Sequence, residues 1–223
     1  MTSPDALWND VDEFFTQHLF PEDDALVAAR ERTRAAGLPP IEISAAAGRF
    51  LWLLCRIAGA RRVLEIGTLG GYSTLCFARA VGEDGDVTTC ELERRHAEVA
   101  RANLERAGVA ERVQILTGPA RDSLRRLIDE GAGPYDVVFI DADKENNPHY
   151  LTAALELTAP GSLIITDNVV RDGAILDPAT TEPHVQGTRR LIEMMGEEPR
   201  LEAVAFQTVG AKGWDGLAMA RVV

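Results

Sequence analysis

Val63-Leu64-Glu65-Ile66-Gly67-Thr68-Leu69-Gly70-Gly71-Tyr72-Ser73 opens the part of the chain whose pattern decides the fold. A short apolar run passes through a glycine-rich turn into TLCFARAV (74–81), which has helical spacing. The unit then recurs. DVTTCEL (86–92) leads to HAEVARANLERAG (96–108), and RVQILTG (112–118) to RDSLRRLIDEG (121–131). YDVVFIDA (135–142) leads to a helical stretch at 150–157, and SLIITDN (162–168) closes the series. Such alternation predicts parallel strands joined by crossover helices, a doubly wound, Rossmann-like α/β sheet. Past a helical stretch at 185–195, LEAVAFQTV (201–209) and DGLAMARV (215–222) are strand-like runs joined by a glycine-containing loop at 210–213. They predict an antiparallel C-terminal hairpin, and hence a mostly parallel sheet of about seven strands with one antiparallel member at or near an edge.

Three helical patterns precede the sheet. Residues 5–19 and 22–36 carry apolar residues at helical spacing, and Gly37 with Pro39-Pro40 stops the second. Ser44 reads as the cap of a third helix through residue 58, rich in Phe50, Leu51, Trp52, Leu53 and Leu54. A length of 223 residues suits a single domain, an N-terminal helical segment at 1–45 followed by a core at 46–223. With 46% hydrophobic and 26% charged residues the composition is globular.

Several classes are disfavoured. No stretch approaches the roughly 20 apolar residues of a bilayer crossing. Residues 1–12 are acidic and lack the basic start of a secretory signal, so a cytoplasmic location without membrane contact is expected. The net charge of −12, from 23 Lys and Arg against 35 Asp and Glu, opposes a phosphate backbone, so no nucleic-acid partner is expected. Cys55, Cys76 and Cys90 sit in apolar stretches without metal-ligand spacing and read as reduced core thiols.

The turn at Gly67 falls where an open α/β sheet binds nucleotide-like ligands. Glycines admit a ligand close to the backbone, the next helix offers free N–H groups to a carboxylate, and Tyr72 and Ser73 add hydroxyls. Glu91 ends the following strand, where a carboxylate accepts hydrogen bonds from a ribose. Gly118-Pro119-Ala120 forms the next loop, a place for an adenine or simply a proline-containing turn. Nicotinamide enzymes share this device, but their fingerprint is G-x-G-x-x-G, whereas this chain has G-x-x-G-G. Further along, one strand runs into Asp141-Ala142-Asp143-Lys144 and the next into Asp167-Asn168. Singly, such acids are ordinary strand-end caps. On neighbouring parallel strands, Asp141, Asp167 and Asn168 become a hard-oxygen set suited to Mg²⁺, Ca²⁺ or Mn²⁺.

VLEIGTLGGYSTL (63–75), ELERRHAEVARANLERAGV (91–109), FIDADKENN (139–147), GSLIITDN (161–168) and DGLAMAR (215–221) resemble one family. It is the cation-dependent O-methyltransferases, which include caffeoyl-CoA and catechol O-methyltransferases. The resemblance covers residues 40–223 or thereabouts. It implies a seven-strand methyltransferase fold and S-adenosylmethionine bound around Glu65, Gly67, Ser73, Glu91 and Ala120, with Tyr72 and Asp141 expected to join the cofactor site. It further implies a divalent cation on Asp141, Asp167 and Asn168, with Lys144 and Asp141 catalytic. A homodimer is implied too, with residues 1–45 near the substrate entrance. The chemistry is coherent. A phenol has a pKa of about 10, so a divalent ion must acidify it before it attacks a sulfonium, and Lys144 can take the proton or hold the oxygen in line.

The expected reaction is therefore methylation of a vicinal dihydroxy aromatic small molecule. An NAD(P)-dependent oxidoreductase and a non-catalytic S-adenosylmethionine-binding protein are the competing readings. Two positions depart from the family pattern: Asn147 replaces a common aromatic and Arg171 a common tryptophan, both expected near the acceptor. A mobile loop over the site is expected at 172–184.

Overall fold

The computed structural model describes residues 4–223, with side chains from Leu7 onward, so the first residues of segment 1–45 lie outside the described part. Three helices lead in: α1 (Pro4–Leu19), α2 (Asp24–Ala35) and α3 (Ala45–Ala58). Asp23 Oδ1 caps α2 by accepting the Ala25 and Leu26 N–H groups, and Ser44 Oγ caps α3 by accepting that of Ala47. The α/β units follow: β1 (Arg62–Ile66), α4 (Tyr72–Ala80), β2 (Asp86–Glu91), α5 (Arg94–Arg106), β3 (Val113–Thr117), α6 (Ala120–Asp129) and β4 (Tyr135–Ile140). The chain ends with α7 (Asn147–Glu156), β5 (Thr158–Asp167), α8 (Pro183–Glu197), β6 (Leu201–Gly210) and β7 (Gly213–Val222).

The seven strands form one sheet in the order β3-β2-β1-β4-β5-β7-β6. β1 to β5 pair in parallel, and β7 runs antiparallel to both β5 and β6. The fold expected from the alternation is the fold found, with the antiparallel strand one place in from the edge.

Each face of the sheet carries its own core. Along β4, Val138 and Ile140 enter a cluster with Leu124, Leu151 and Leu191 of α6, α7 and α8. Val137 and Phe139 alternate to the other face and join Leu51, Leu75 and Leu104 of α3, α4 and α5. Burial on both faces explains why the central strands read as unbroken apolar runs. Cys55, Cys76 and Cys90 are free and buried in these cores, as expected.

Successive connections reverse direction at β1 and β4, which opens a crevice above their carboxyl ends. The ladder extends one residue past each strand: Gly67 N–H donates to Cys90 O, Gly118 N–H to Glu91 O and Asp141 N–H to Ile66 O. The functional loops therefore leave the sheet at one level. α1 packs on α3 and β6. These three elements leave Leu7, Phe14, Leu19, Ile57, Val204 and Val209 exposed. Among the described residues no helix is long and apolar enough to cross a membrane.

Candidate active site

A cavity of about 690 Å³ occupies the crevice. Gly67, Tyr72, Ser73, Glu91, Ala120, Asp141, Lys144 and Asn168 line it, whereas Glu65 and Asp167 stand behind its wall. One side is closed by Arg30 and Thr33 of α2 and by residues 41–43.

On the glycine-turn side, Glu91 fastens the turn. Its Oε2 accepts the N–H groups of Thr68 and Leu69 at 3.2 and 2.7 Å, and its Oε1 accepts that of Glu93 at 2.9 Å. Gly67 has φ +107°, and a Cβ there would lie 2.1 Å from the Asp141 carbonyl oxygen, so only glycine lets the turn touch the Asp141 loop. Tyr72 donates its hydroxyl to Glu22 Oε1 at 2.5 Å beneath the Arg30 guanidinium, so that hydroxyl is engaged with the α1–α2 link.

Glu65 is completely buried, with Oε2 accepting hydroxyls from Thr74 and Thr89 at 2.5 and 2.7 Å and Oε1 without a partner. Burial pushes its carboxyl from 4.5 up to about 7; the hydroxyls of Ser73, Thr74 and Thr89 oppose that push and Asp141 adds to it. The folded protein thus keeps a proton that the unfolded chain releases, and stability falls as pH rises between 4.5 and about 7. Glu65→Gln removes the buried charge. In guanidinium unfolding at pH 8 without ligand, the variant is expected to exceed the parent by about 1–2 kcal/mol, the gap closing near pH 4.5. A lower midpoint for the variant at pH 8 would count against a strained carboxylate.

On the other side, the pairing of Ile140 with Thr166 brings the next residues, Asp141 and Asp167, to adjacent strand ends. Asn168 turns into the left-handed region, φ +59°, while its N–H donates to Asp167 Oδ1 at 2.7 Å. Lys144 follows on a 3-10 turn. It is 7% exposed, and its Nζ lies 2.7 Å from Asp141 Oδ1. Burial and then Asp141 push the Asp167 carboxyl up to about 7, while the Lys144 ammonium pulls it back. Two carboxylates that raise each other's energy, joined by an amide oxygen, fit a hard divalent cation. The set depends on Asn168, since among the described residues no three Asp, Glu, His or Cys side chains converge. Gly187 of α8 supports the Lys144 turn from below; a Cβ there would lie 2.2 Å from the Lys144 carbonyl oxygen.

The sequence profile described as O-methyltransferase matches residues 17–222. The chain belongs to the O-methyltransferase family. A catechol O-methyltransferase from Mycobacterium tuberculosis is 53% identical over 213 residues, 96% of this chain and 95% of that one. Another from Niastella koreensis is 47% identical over 97% of this chain and 98% of its own. The crystal structure of the O-methyltransferase from Bacillus cereus in complex with SAH is 48% identical, covers 98% of this chain and 99% of its own, and superposes with a TM-score of 0.96. A nicotinamide oxidoreductase and a non-catalytic binding protein are thereby set aside.

In this methyltransferase the two departures from the family pattern have separate fates. Arg171 lines the cavity, as expected. Asn147 does not: it lies next to Asn146, which lines the cavity, but is itself fully enclosed at the start of α7 with neither amide atom partnered. Segment 172–184 begins as a turn that packs on α8 and β7, with Arg189 donating to the Ile175 carbonyl oxygen. Asp215 was missed by sequence reading. Its Oδ1 accepts the N–H groups of Val170, Arg171 and Gly216 and so fixes the turn after Asn168. An Asp-Gly pair inside a strand-like run was its only signal.

Proposed function

We propose that this chain transfers the methyl group of S-adenosylmethionine to one hydroxyl of a vicinal dihydroxy aromatic. A divalent cation, Mg²⁺ first and Ca²⁺ or Mn²⁺ as alternatives, would be held by Asp141, Asp167 and Asn168. One observation carries the reading. Lys144 Nζ stands 2.7 Å from Asp141 Oδ1, on the wall of the cavity that Asn168, the glycine turn and Glu91 also line. The relatives named catechol O-methyltransferase support the acceptor class, and the relative solved with SAH supports the donor.

The roles follow from the groups present. The glycine turn and the free N–H groups at the start of α4, with Ser73, receive the donor's carboxylate. Glu91 serves the ribose, Ala120 borders the adenine, and Glu65 behind the turn would give up its retained proton and become negative when the donor's cationic end is bound. When bound, the cation supplies Lewis acidity that lowers the pKa of an acceptor hydroxyl. With a dication and sulfonium bound, the Lys144 ammonium would be disfavoured and give its proton to solvent; the neutral Nζ would then take that hydroxyl's proton and keep the oxygen in line with the methyl group. Arg30, Thr33 and residues 41–43 exclude water from one side, which makes segment 1–45 part of the enclosure. The exposed apolar strip on α1, α3 and β6 suits pairing with a second copy, and light scattering that returns monomer alone would end that part of the reading.

Labelled S-adenosylmethionine, Mg²⁺ and a panel of catechols provide the test. Transfer is expected, falling at least about tenfold with EDTA and returning with added Mg²⁺. Activity indifferent to chelation refutes the cation, and no transfer to any catechol refutes the acceptor class.

A further inference from the structure

Most cations lining the cavity are neutralised. Arg30 pairs with Glu22 and Glu42, Lys144 with Asp141, and His96 stands 3.3 Å from Glu91. Arg121 is exposed at the β3 end. Arg171 differs. Among the described residues it has no carboxylate within ion-pair distance, and its Nε is shut off from solvent without a hydrogen-bond partner. A buried donor with nothing to donate to calls for a ligand or another explanation.

The backbone holds this residue in place at a cost. Arg171 and Asp172 both have φ +53°, a region that residues other than glycine seldom adopt. Asp215 Oδ1 sustains the turn by accepting the N–H groups of Val170 and Arg171 at 2.9 and 3.3 Å. Arg171 follows Asn168 closely in sequence and lines the cavity with it after β5, across the sheet from Ala120 after β3.

We propose that Arg171 binds a carboxylate on the acceptor, so that the preferred substrates are catechols carrying an anionic side group, such as dihydroxybenzoates or dihydroxycinnamates. This rests on the methyl transfer to catechols proposed above. A guanidinium meets a carboxylate through two parallel hydrogen bonds, a match that a neutral catechol lacks. A local cation also favours an anionic acceptor, because a chain of net charge −12 repels an incoming anion.

The test compares 3,4-dihydroxybenzoate with unsubstituted catechol, using labelled S-adenosylmethionine and Mg²⁺. The parent is expected to favour dihydroxybenzoate in kcat/KM by at least about tenfold. Arg171→Met should raise KM for dihydroxybenzoate about tenfold or more while leaving catechol within about threefold, and Arg171→Lys should recover part of the loss. Calorimetry of dihydroxybenzoate binding to SAH-loaded protein should show the same order. A parent that methylates catechol at least as well as dihydroxybenzoate, or variants that lose both acceptors equally, overturns the proposal and leaves methyl transfer standing. Transfer to neither acceptor overturns both.

Discussion

Asp141→Ala is expected to lower kcat for a catechol acceptor about a thousandfold while SAH still binds within about tenfold of the parent affinity. The size of the loss follows from two tasks that meet on one carboxylate. Asp141 is one of the three oxygen donors proposed for the cation, and its Oδ1 holds Lys144 Nζ at 2.7 Å. Removing it loosens both groups that act on the acceptor hydroxyl, worth together about 4 kcal/mol in the transition state. Stability should change far less, because two effects oppose. Loss of the pair leaves the Lys144 ammonium, 7% exposed, without its partner. Yet Asp141 also raises the Asp167 and Glu65 carboxyls, and Lys144 already acts on Asp167, so that acid can take over the ammonium. Steady-state kinetics beside SAH calorimetry separates the cases. Retention of more than about a tenth of the parent kcat would remove Asp141 from the chemistry.

What the sequence displayed was whatever depends on local pattern. Strands buried on both faces had to be apolar throughout, and crossover helices had to alternate with them, so RVLEI, DVTTCE and DVVFI announced a doubly wound parallel sheet, though not the order of its strands. Adjacent parallel strands then forced Asp141 and Asp167 together, which made the candidate cation set legible before any coordinates. Long-range partners were not legible. That the Tyr72 hydroxyl would meet Glu22 depends on how the α1–α2 link folds back over α4, and nothing near Tyr72 encodes it. Asn147 looked like a pocket residue because its neighbours are; a difference of one position at the start of α7 turns it inward instead. Glu91 holding the Thr68 and Leu69 N–H groups was hidden for the same reason, since an acid at a strand end does not say which loop it will reach.

Gly187→Ala and Gly67→Ala test a clamp that only coordinates reveal. The Asp141–Lys144 loop is touched on one side by Gly67, at the Asp141 carbonyl, and on the other by Gly187, at the Lys144 carbonyl. Within a helix, glycine to alanine ordinarily gains about 1 kcal/mol, so α8 by itself predicts a stabilised Gly187→Ala variant. The added methyl would sit 2.2 Å from the Lys144 carbonyl oxygen and 2.7 Å from Glu145 Cα, backbone that cannot swing aside as a side chain does. Overpacking of this kind costs about 1–3 kcal/mol, which cancels or outweighs the helical gain. Tm should therefore stay level or fall by a few degrees, while a displacement of Lys144 approaching 1 Å lowers kcat about a hundredfold with SAH affinity unchanged. Gly67→Ala is harsher. It combines φ +107° with a methyl 2.1 Å from the Asp141 carbonyl oxygen, about 3–5 kcal/mol in all, so Tm should drop by roughly 10 °C and SAH binding should fail along with catalysis. The contrast decides the matter: a Gly187→Ala protein more stable than its parent and fully active would mean that α8 does not support the Lys144 turn.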